Sequence, residues 1–405
     1  MTGNTPYVFV AVGPDWGRHP CSLSHVLSVM VRTHPVIWVN SIAQRVPRLS
    51  RQDLLRAMNK AAASFRTPHS AAYSGPLVVH PRAVPYHQFA PVRSMNGWLL
   101  ARQLRPIMAR FPDRKVVLVA TNPAAVALAN SLRPQATIYF CMDDYARMQD
   151  SDARLIEVCE RLMLVRADAT IVTSRALVES KSYRGKVPVY LPQGVDVGHF
   201  TTPGPIPDRI ARIPKPIIGF QGIIGSRVDL ELLEKIARRF PAASLVTVGK
   251  EEVDMTRLKQ LANVYALGEV SYKALPSWIQ AFDIGLVAYR YDGHTASVNP
   301  LKLLEYLALG QEVVSVQLPE LEQHREYVHL ARDHDSYLAM LATVLARYPF
   351  SQTEKAQRRA YAGRHSWEER AERFRELSDR LLGETRKDAS IINGASGSRA
   401  QRTQI

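Results

Sequence analysis

Short β-branched or apolar runs, separated by stretches of helical periodicity and interrupted once by prolines, constrain this chain more than any other feature. The runs are YVFVAV (7–12), VIWVN (36–40), LVVH (77–80), KVVLVA (115–120), TIYFCM (137–142), ATIVTS (169–174) and VYLPQG (189–194). After the proline-rich TTPGPIPDRIARIPKP (201–216) come IIGFQG (217–222), SLVTVG (244–249), VYAL (264–267), IGLVAY (284–289) and QEVVSV (311–316). Continuously apolar strands are those buried on both faces, as in parallel sheets, and parallel neighbours need a crossover helix between them. The pattern therefore predicts two doubly wound α/β units, with helices at 229–239, 274–281 and 300–309 in the second. Boundaries are expected at 1–195 and 196–365, with 201–216 as the linker. A polar helical segment at 366–385 follows, and 386–405 is too polar and aperiodic to pack, so it reads as a disordered tail. In such a layout ligands sit in the cleft at the C-terminal ends of the strands.

The chain has 405 residues, enough for two domains, and 46% hydrophobic against 22% charged residues describes a globular protein. No apolar run approaches the ~20 residues of a membrane-spanning helix. The start, MTGNTPYVFVAVGPDW, does not read as a signal peptide, and three scattered cysteines form neither a disulfide framework nor a zinc pattern. A reducing cytoplasm is the expected compartment. Residues 1–115 hold 15 Lys and Arg against three acids (Asp15, Asp53, Asp113), so +12 of the net +15 lies in that third of the chain. Something anionic is expected to meet the first unit. No nucleic-acid motif accompanies the charge, so nucleic acid is not the expected partner.

Several segments carry side chains suited to chemistry. In FQGIIGSRVD (220–229) a strand runs into a turn with Gly222 and Gly225 and then a helix starting at Asp229, an arrangement that lets amides approach a phosphate. Arg227 stands in that turn, and VGK (248–250) places Gly249 at the same edge. SVNPLKLLEYLALG (297–310) reads as a helix with Asn299 as N-cap, Pro300 at its first position and Gly310 just past its end. Leu301, Leu304, Leu307 and Ala308 form its predicted buried stripe, while Lys302, Glu305 and Tyr306 fall outside it. Lys302 with the amides of Leu301 and Lys302 suits a phosphate, and Glu305 suits a pair of sugar hydroxyls. By spacing alone the same two residues equally make a solvated i, i+3 ion pair. In the first unit, GPDWGRHPCSLSHVL (13–27) puts Trp16, Arg18 and His19 at a strand-to-helix loop, with His19 a general-base or acceptor-binding candidate. CMDDY (141–145) puts Asp143, Asp144 and Tyr145 at a strand's C-terminal end. RQDLLRAMNKAAASFR (51–66) is a basic amphipathic helix of the kind that lies on anionic lipid or packs on its own sheet.

The stretch from GFQGIIGSRVD through VTVGK and LGEVSYKALPSWIQAFDIGLVAY to SVNPLKLLEYLALGQEVVS resembles the donor half of GT-B glycosyltransferases. In particular it is similar to the bacterial group of cell-surface polysaccharide synthesis, the teichuronic-acid-type transferases. FCMDDYARM (140–148), IVTSRAL (171–177), LPQGVDVGHF (191–200) and HSWEERAERF (365–374) also match that group, so the resemblance spans roughly residues 1–380. It implies a GT-B fold, two Rossmann-like domains facing a cleft, with C-terminal helices returning to the first domain. It further implies a donor site in which Glu305 holds the ribose and Gly222, Gly225 and Gly249 lie near the diphosphate. Arg227, Lys302, Leu301 and Asn299 would complete that site, and PQGVD (192–196) would be the hinge. Trp16, Arg18 and Tyr145 would meet the acceptor, and His19, Asp143 or Asp144 would supply the base. A UDP- or GDP-sugar is the expected donor and a lipid-linked or oligosaccharide acceptor its partner, with no metal or other cofactor. The enzyme would work on the anionic inner face of the plasma membrane. Two departures bear on the sugar: Ser297 stands where retaining relatives place a second glutamate, and Arg227 lacks the usual lysine after it. The rival readings are a nucleotide-sugar epimerase of the same fold and a non-catalytic membrane- or nucleic-acid-binding protein.

Overall fold

The computed structural model describes residues 6–17, 20–41, 75–84, 89–147, 152–292 and 295–383. Strands β1 (Tyr7–Val12), β2 (Val36–Val39), β3 (Leu77–Val79), β4 (Lys115–Ala120), β5 (Ala136–Cys141), β6 (Ala169–Val172) and β7 (Val189–Tyr190) form one parallel sheet in the order β3-β2-β1-β4-β5-β6-β7. A second parallel sheet holds β8 (Ile217–Gln221), β9 (Ser244–Val248), β10 (Val264–Ala266), β11 (Ile284–Val287), β12 (Glu312–Val316) and β13 (His329–Ala331) in the order β10-β9-β8-β11-β12-β13. Strand order reverses between β1 and β4 and again between β8 and β11, which opens a crevice at the C-terminal ends of each sheet.

Burial on both faces explains the apolar strands. Along β1, Tyr7, Phe9 and Ala11 enter one core layer and Val8, Val10 and Val12 the other. The return helix Trp367–Leu381 closes the first of these layers with Trp367, Ala371, Phe374 and Leu377. Phe374 lies 5.4 Å from Phe9 between ring centroids, and the Tyr7 hydroxyl donates to Asp379 Oδ1 at 2.7 Å. The last long helix thus belongs to the core of the first sheet, although it follows the second in sequence.

Three elements differ from expectation. The proline-rich stretch 201–216 is no free linker, because Ile210 and Ile213, with the preceding Phe200, are buried in the core of the second sheet. Strand β13 and the helix His334–Leu345 were not expected. The strand is only three residues long and opens on His329, which pairs with Glu312 of β12, so it carries no readable alternation. The predicted basic helix 51–66 and the tail 386–405 lie outside the described residues.

Candidate functional site

The C-terminal edge of the second sheet is built from two glycine turns in contact. Gly222, directly after β8, has φ +115°, and Gly249, directly after β9, has φ +156°. A Cβ on Gly249 would lie 1.9 Å from the Gly222 carbonyl oxygen, so glycine is required by both conformation and space. Gly225 has neither constraint, its nearest neighbour standing 3.7 Å from where a Cβ would be.

Against these turns lies the helix Leu301–Ala308. Pro300 occupies the N-cap position, and Asn299 does not cap: its side-chain amide donates to the Thr173 carbonyl of the first sheet at 3.1 Å. The expected exposed face is also absent. Lys302 is 6% exposed, Glu305 7%, and Tyr306 fully buried with its hydroxyl accepting the Gln221 amide at 2.9 Å. Leu301, placed in the buried stripe by periodicity, is instead half-buried and packs towards the first core. The helix is covered by the helix Gln352–Gly363, by strands β11 and β12 and by the segment Val197–Thr201.

Lys302 Nζ lies over the Phe220 ring at 3.6 Å and the Tyr289 ring at 4.8 Å from the centroids. Among the described residues it has no hydrogen-bond or ion-pair partner, so the solvated Lys302–Glu305 pair is not formed. Burial pushes the Lys302 ammonium well below its usual pKa, opposed by the Glu305 charge and reinforced by Arg227. Burial pushes Glu305 up to about 7, opposed by Lys302 and by the hydrogen bond from the Gln221 side chain. A cation and a carboxylate, both costly to bury, thus face one space without neutralising each other.

That space is a cleft of about 630 Å³ between the two sheets. From the second unit it is lined by Gly222, Gly225, Arg227, Gly249, Asn299, Leu301, Lys302 and Glu305, so every expected donor-side residue is brought together. From the first unit Asp143 and Tyr145 line it, and Asp143 Oδ2 forms an ion pair with Arg227 Nη2 at 3.2 Å across the cleft. Asp144 is not a cleft residue. It is buried in ion pairs with Lys181 at 3.1 Å and Arg147 at 3.2 Å, and Lys181 reaches Glu160 at 2.8 Å. This network fixes the turn that presents Asp143, whose side chain in turn accepts the Asp144 amide at 3.0 Å. Trp16 packs edge-on against Trp38, with centroids 4.8 Å apart, and is not among the residues lining the cleft. Arg18 and His19 lie outside the described residues.

Gln193 and His25 are among the cleft residues that the sequence did not single out. Gln193 accepts from the Ser22 hydroxyl at 2.7 Å and donates to the Asn299 carbonyl at 3.2 Å, which ties the first helix to the start of helix 301–308. His25 is 8% exposed, stacks on Trp367 at 4.8 Å and meets the edge of Tyr272 at 5.4 Å. Burial lowers its pKa to about 4, so the ring is neutral. The available signal was position: His25 lies in the first turns of the helix Ser22–Met30, which starts at the cleft edge of β1.

Comparison with known proteins bears on both halves. Residues 218–347 match the family described as Glycosyl transferases group 1. A protein of Bacillus subtilis (strain 168) named as a teichuronic acid biosynthesis glycosyltransferase, TuaH, is 26% identical over 290 residues, 66% of this chain and 72% of that protein. HepE of Anabaena, solved in complex with UDP and glucose, superposes with a TM-score of 0.65 at 13% identity over 92% of this chain and 100% of its own. A trehalose-6-phosphate structure from E. coli, bound with UDP-2-fluoro glucose, superposes with a TM-score of 0.59 at 14% identity, covering 92% and 98%. The two sheets and their cleft have the GT-B arrangement.

Proposed function

We propose that this chain, whose two sheets have the GT-B arrangement and whose residues 218–347 match a glycosyltransferase family, moves a sugar from a nucleotide-diphosphate donor to a lipid-linked or oligosaccharide acceptor of surface polysaccharide synthesis. The observation that carries the reading is the buried Lys302 and Glu305 facing one cleft without pairing to each other. A diphosphate would neutralise Lys302, and a ribose diol would donate to Glu305. The two glycine turns and the Leu301 and Lys302 amides would surround the leaving phosphate, where negative charge develops as the sugar–phosphate bond breaks. In this reading the diphosphate charge is met by protein groups, with Arg227 turning to it from Asp143. Asp143 then takes the proton of the acceptor hydroxyl as that oxygen bonds the anomeric carbon, with Tyr145 beside it.

The nucleoside is uridine or guanosine in this proposal; the UDP in the HepE complex supports uridine. The acceptor class rests on the teichuronic acid role in the name of the Bacillus subtilis relative and on the basic first third of the chain. The same charge supports action at the anionic cytoplasmic face of the plasma membrane. The test is a thermal-shift series with UDP-, GDP- and ADP-sugars at millimolar concentration. One of the first two is expected to raise Tm by several degrees, and Lys302→Met to abolish the shift while the protein remains folded. Absence of any shift with all three nucleotides in the wild type overturns the reading.

A further inference from the structure

On the face of the first sheet away from the return helix lies the long helix Ala90–Met108. Its inner stripe, Asn96, Gly97, Leu100, Ala101 and Leu104, is buried at helical spacing. Gly97 permits the contact, since a Cβ there would stand 2.3 Å from the Ala127 carbonyl oxygen of the neighbouring helix. The opposite face does not become polar as a solvated face would. Phe89 at the N-cap is 57% exposed, Met95 42% and Trp98 51%. Arg102 and Arg105 continue the same face, at i+4 and i+7 from Trp98, and the Arg102 guanidinium lies 5.7 Å from the centroid of the Trp98 ring. Aromatic and thioether groups at one end with arginines along the stripe form the pattern of a helix lying in a membrane interface.

We propose that this outward face docks the enzyme on an anionic lipid bilayer. Charge favours an anionic occupant, and the exposed Phe89, Met95 and Trp98 beside the arginines favour a bilayer interface over an acidic protein groove. Between Asp53 and Asp113 the sequence contains eight Lys and Arg and no acidic residue. Among the described residues no helix is long and apolar enough to cross a membrane, so contact would be made at the surface. The topology gives the docking a purpose. The helix follows β3, so its Phe89 end stands at the C-terminal edge of the sheet, the same edge where Pro14, Asp143 and Tyr145 line the cleft. A bilayer touching Phe89, Met95 and Trp98 would lie beside the cleft mouth, and an acceptor could present its polar head without leaving the membrane. This last step rests on the lipid-linked acceptor of the proposed function.

Co-sedimentation of the full chain with vesicles tests it. Vesicles of phosphatidylcholine mixed with an equal part of phosphatidylglycerol are expected to bind the wild type, and pure phosphatidylcholine to bind it about tenfold more weakly. The combined Phe89→Ser, Met95→Ser, Trp98→Ser variant and, separately, Arg102→Glu with Arg105→Glu are each expected to lose about tenfold on the anionic vesicles. Both variants should keep the wild-type nucleotide-sugar thermal shift, because none of these residues lines the cleft. Equal binding of either variant and the wild type, or no binding of the wild type, overturns the proposal. A wild-type dimer in solution that the serine variant converts to monomer also overturns it, in favour of a second copy of the chain as occupant. Vesicle binding without any nucleotide-sugar shift leaves the docking surface standing and removes the transferase reading.

Discussion

Lys302 and Glu305 are three positions apart on one helix, and their spacing predicts nothing that separates a surface ion pair from a ligand edge. Burial decides it. With Phe220 and Tyr289 beneath the ammonium and Gln221 against the carboxylate, neither charge has a full partner among the described residues. Glu305 consequently holds its proton up to about pH 7 when folded, but only to the ordinary carboxylate range when unfolded. Between those values the native state binds the extra proton, so this contribution is present at low pH and is lost as pH rises through about 7. Glu305→Gln mimics the protonated form. It is expected to stabilise the ligand-free protein at about pH 8 by on the order of 3 kcal/mol and to change it little at about pH 4, below the unfolded pKa. The same variant should weaken donor binding at both pH values. Thermal melts across that range check the sign, and a stability difference independent of pH would refute the account. Of the remaining site residues, Asp143 and Asp144 show the reach of sequence most clearly. The adjacent pair marked the right strand end, but which carboxylate faces the cleft depends on Lys181, thirty-seven positions after Asp144, whose ammonium holds it inside.

The elements were legible where their pattern is local. The strand and helix alternation of both units and the glycine turn after β8 follow from apolar runs and turn residues a few positions apart. Less legible were features set by partners remote in sequence. Asn299 has the composition of an N-cap, yet Thr173 of the first sheet takes its amide and Pro300 holds the cap position. The contact between the turns at Gly222 and Gly249 is equally remote, and it predicts an asymmetry between neighbouring glycines. Gly249→Ala places a methyl against the Gly222 carbonyl in a backbone conformation unsuited to side chains, and is expected to cost roughly 2 kcal/mol or more. Gly225→Ala meets only ordinary van der Waals contact at 3.7 Å and should stay within about 0.5 kcal/mol of wild type. Urea denaturation of the two variants measures the difference, and equal midpoints would remove the close-packed turn from the account.

The whole molecule is held together by a chain that crosses between its halves twice at one place. The segment at Val195 and the segment at Ser366 lie side by side, Val195 donating to the His365 carbonyl at 2.9 Å and Trp367 to the Val195 carbonyl at 3.2 Å. The Arg227–Asp143 ion pair also joins the two units, between residues that line the cleft. In the proposed function a donor diphosphate and Asp143 compete for one guanidinium. Asp143→Asn is expected to tighten nucleotide-diphosphate binding by several-fold, by weakening the competitor, and to slow sugar transfer by roughly 100-fold or more, by removing the proposed base. Calorimetric titration and initial rates read the two effects separately, and loss of both binding and rate would refute the competition. The sequence by itself determined two parallel α/β units, their strand edges and the glycine turn beside a helix N-terminus, because periodicity and backbone freedom are properties of neighbouring residues. Only the tertiary structure decided that Lys302 and Glu305 are buried at the cleft, that Asp143 and not Asp144 meets it, and that His25 and Gln193 line it. Each of those outcomes depends on which distant segment removes water from a side chain, and desolvation is a property of the packed molecule.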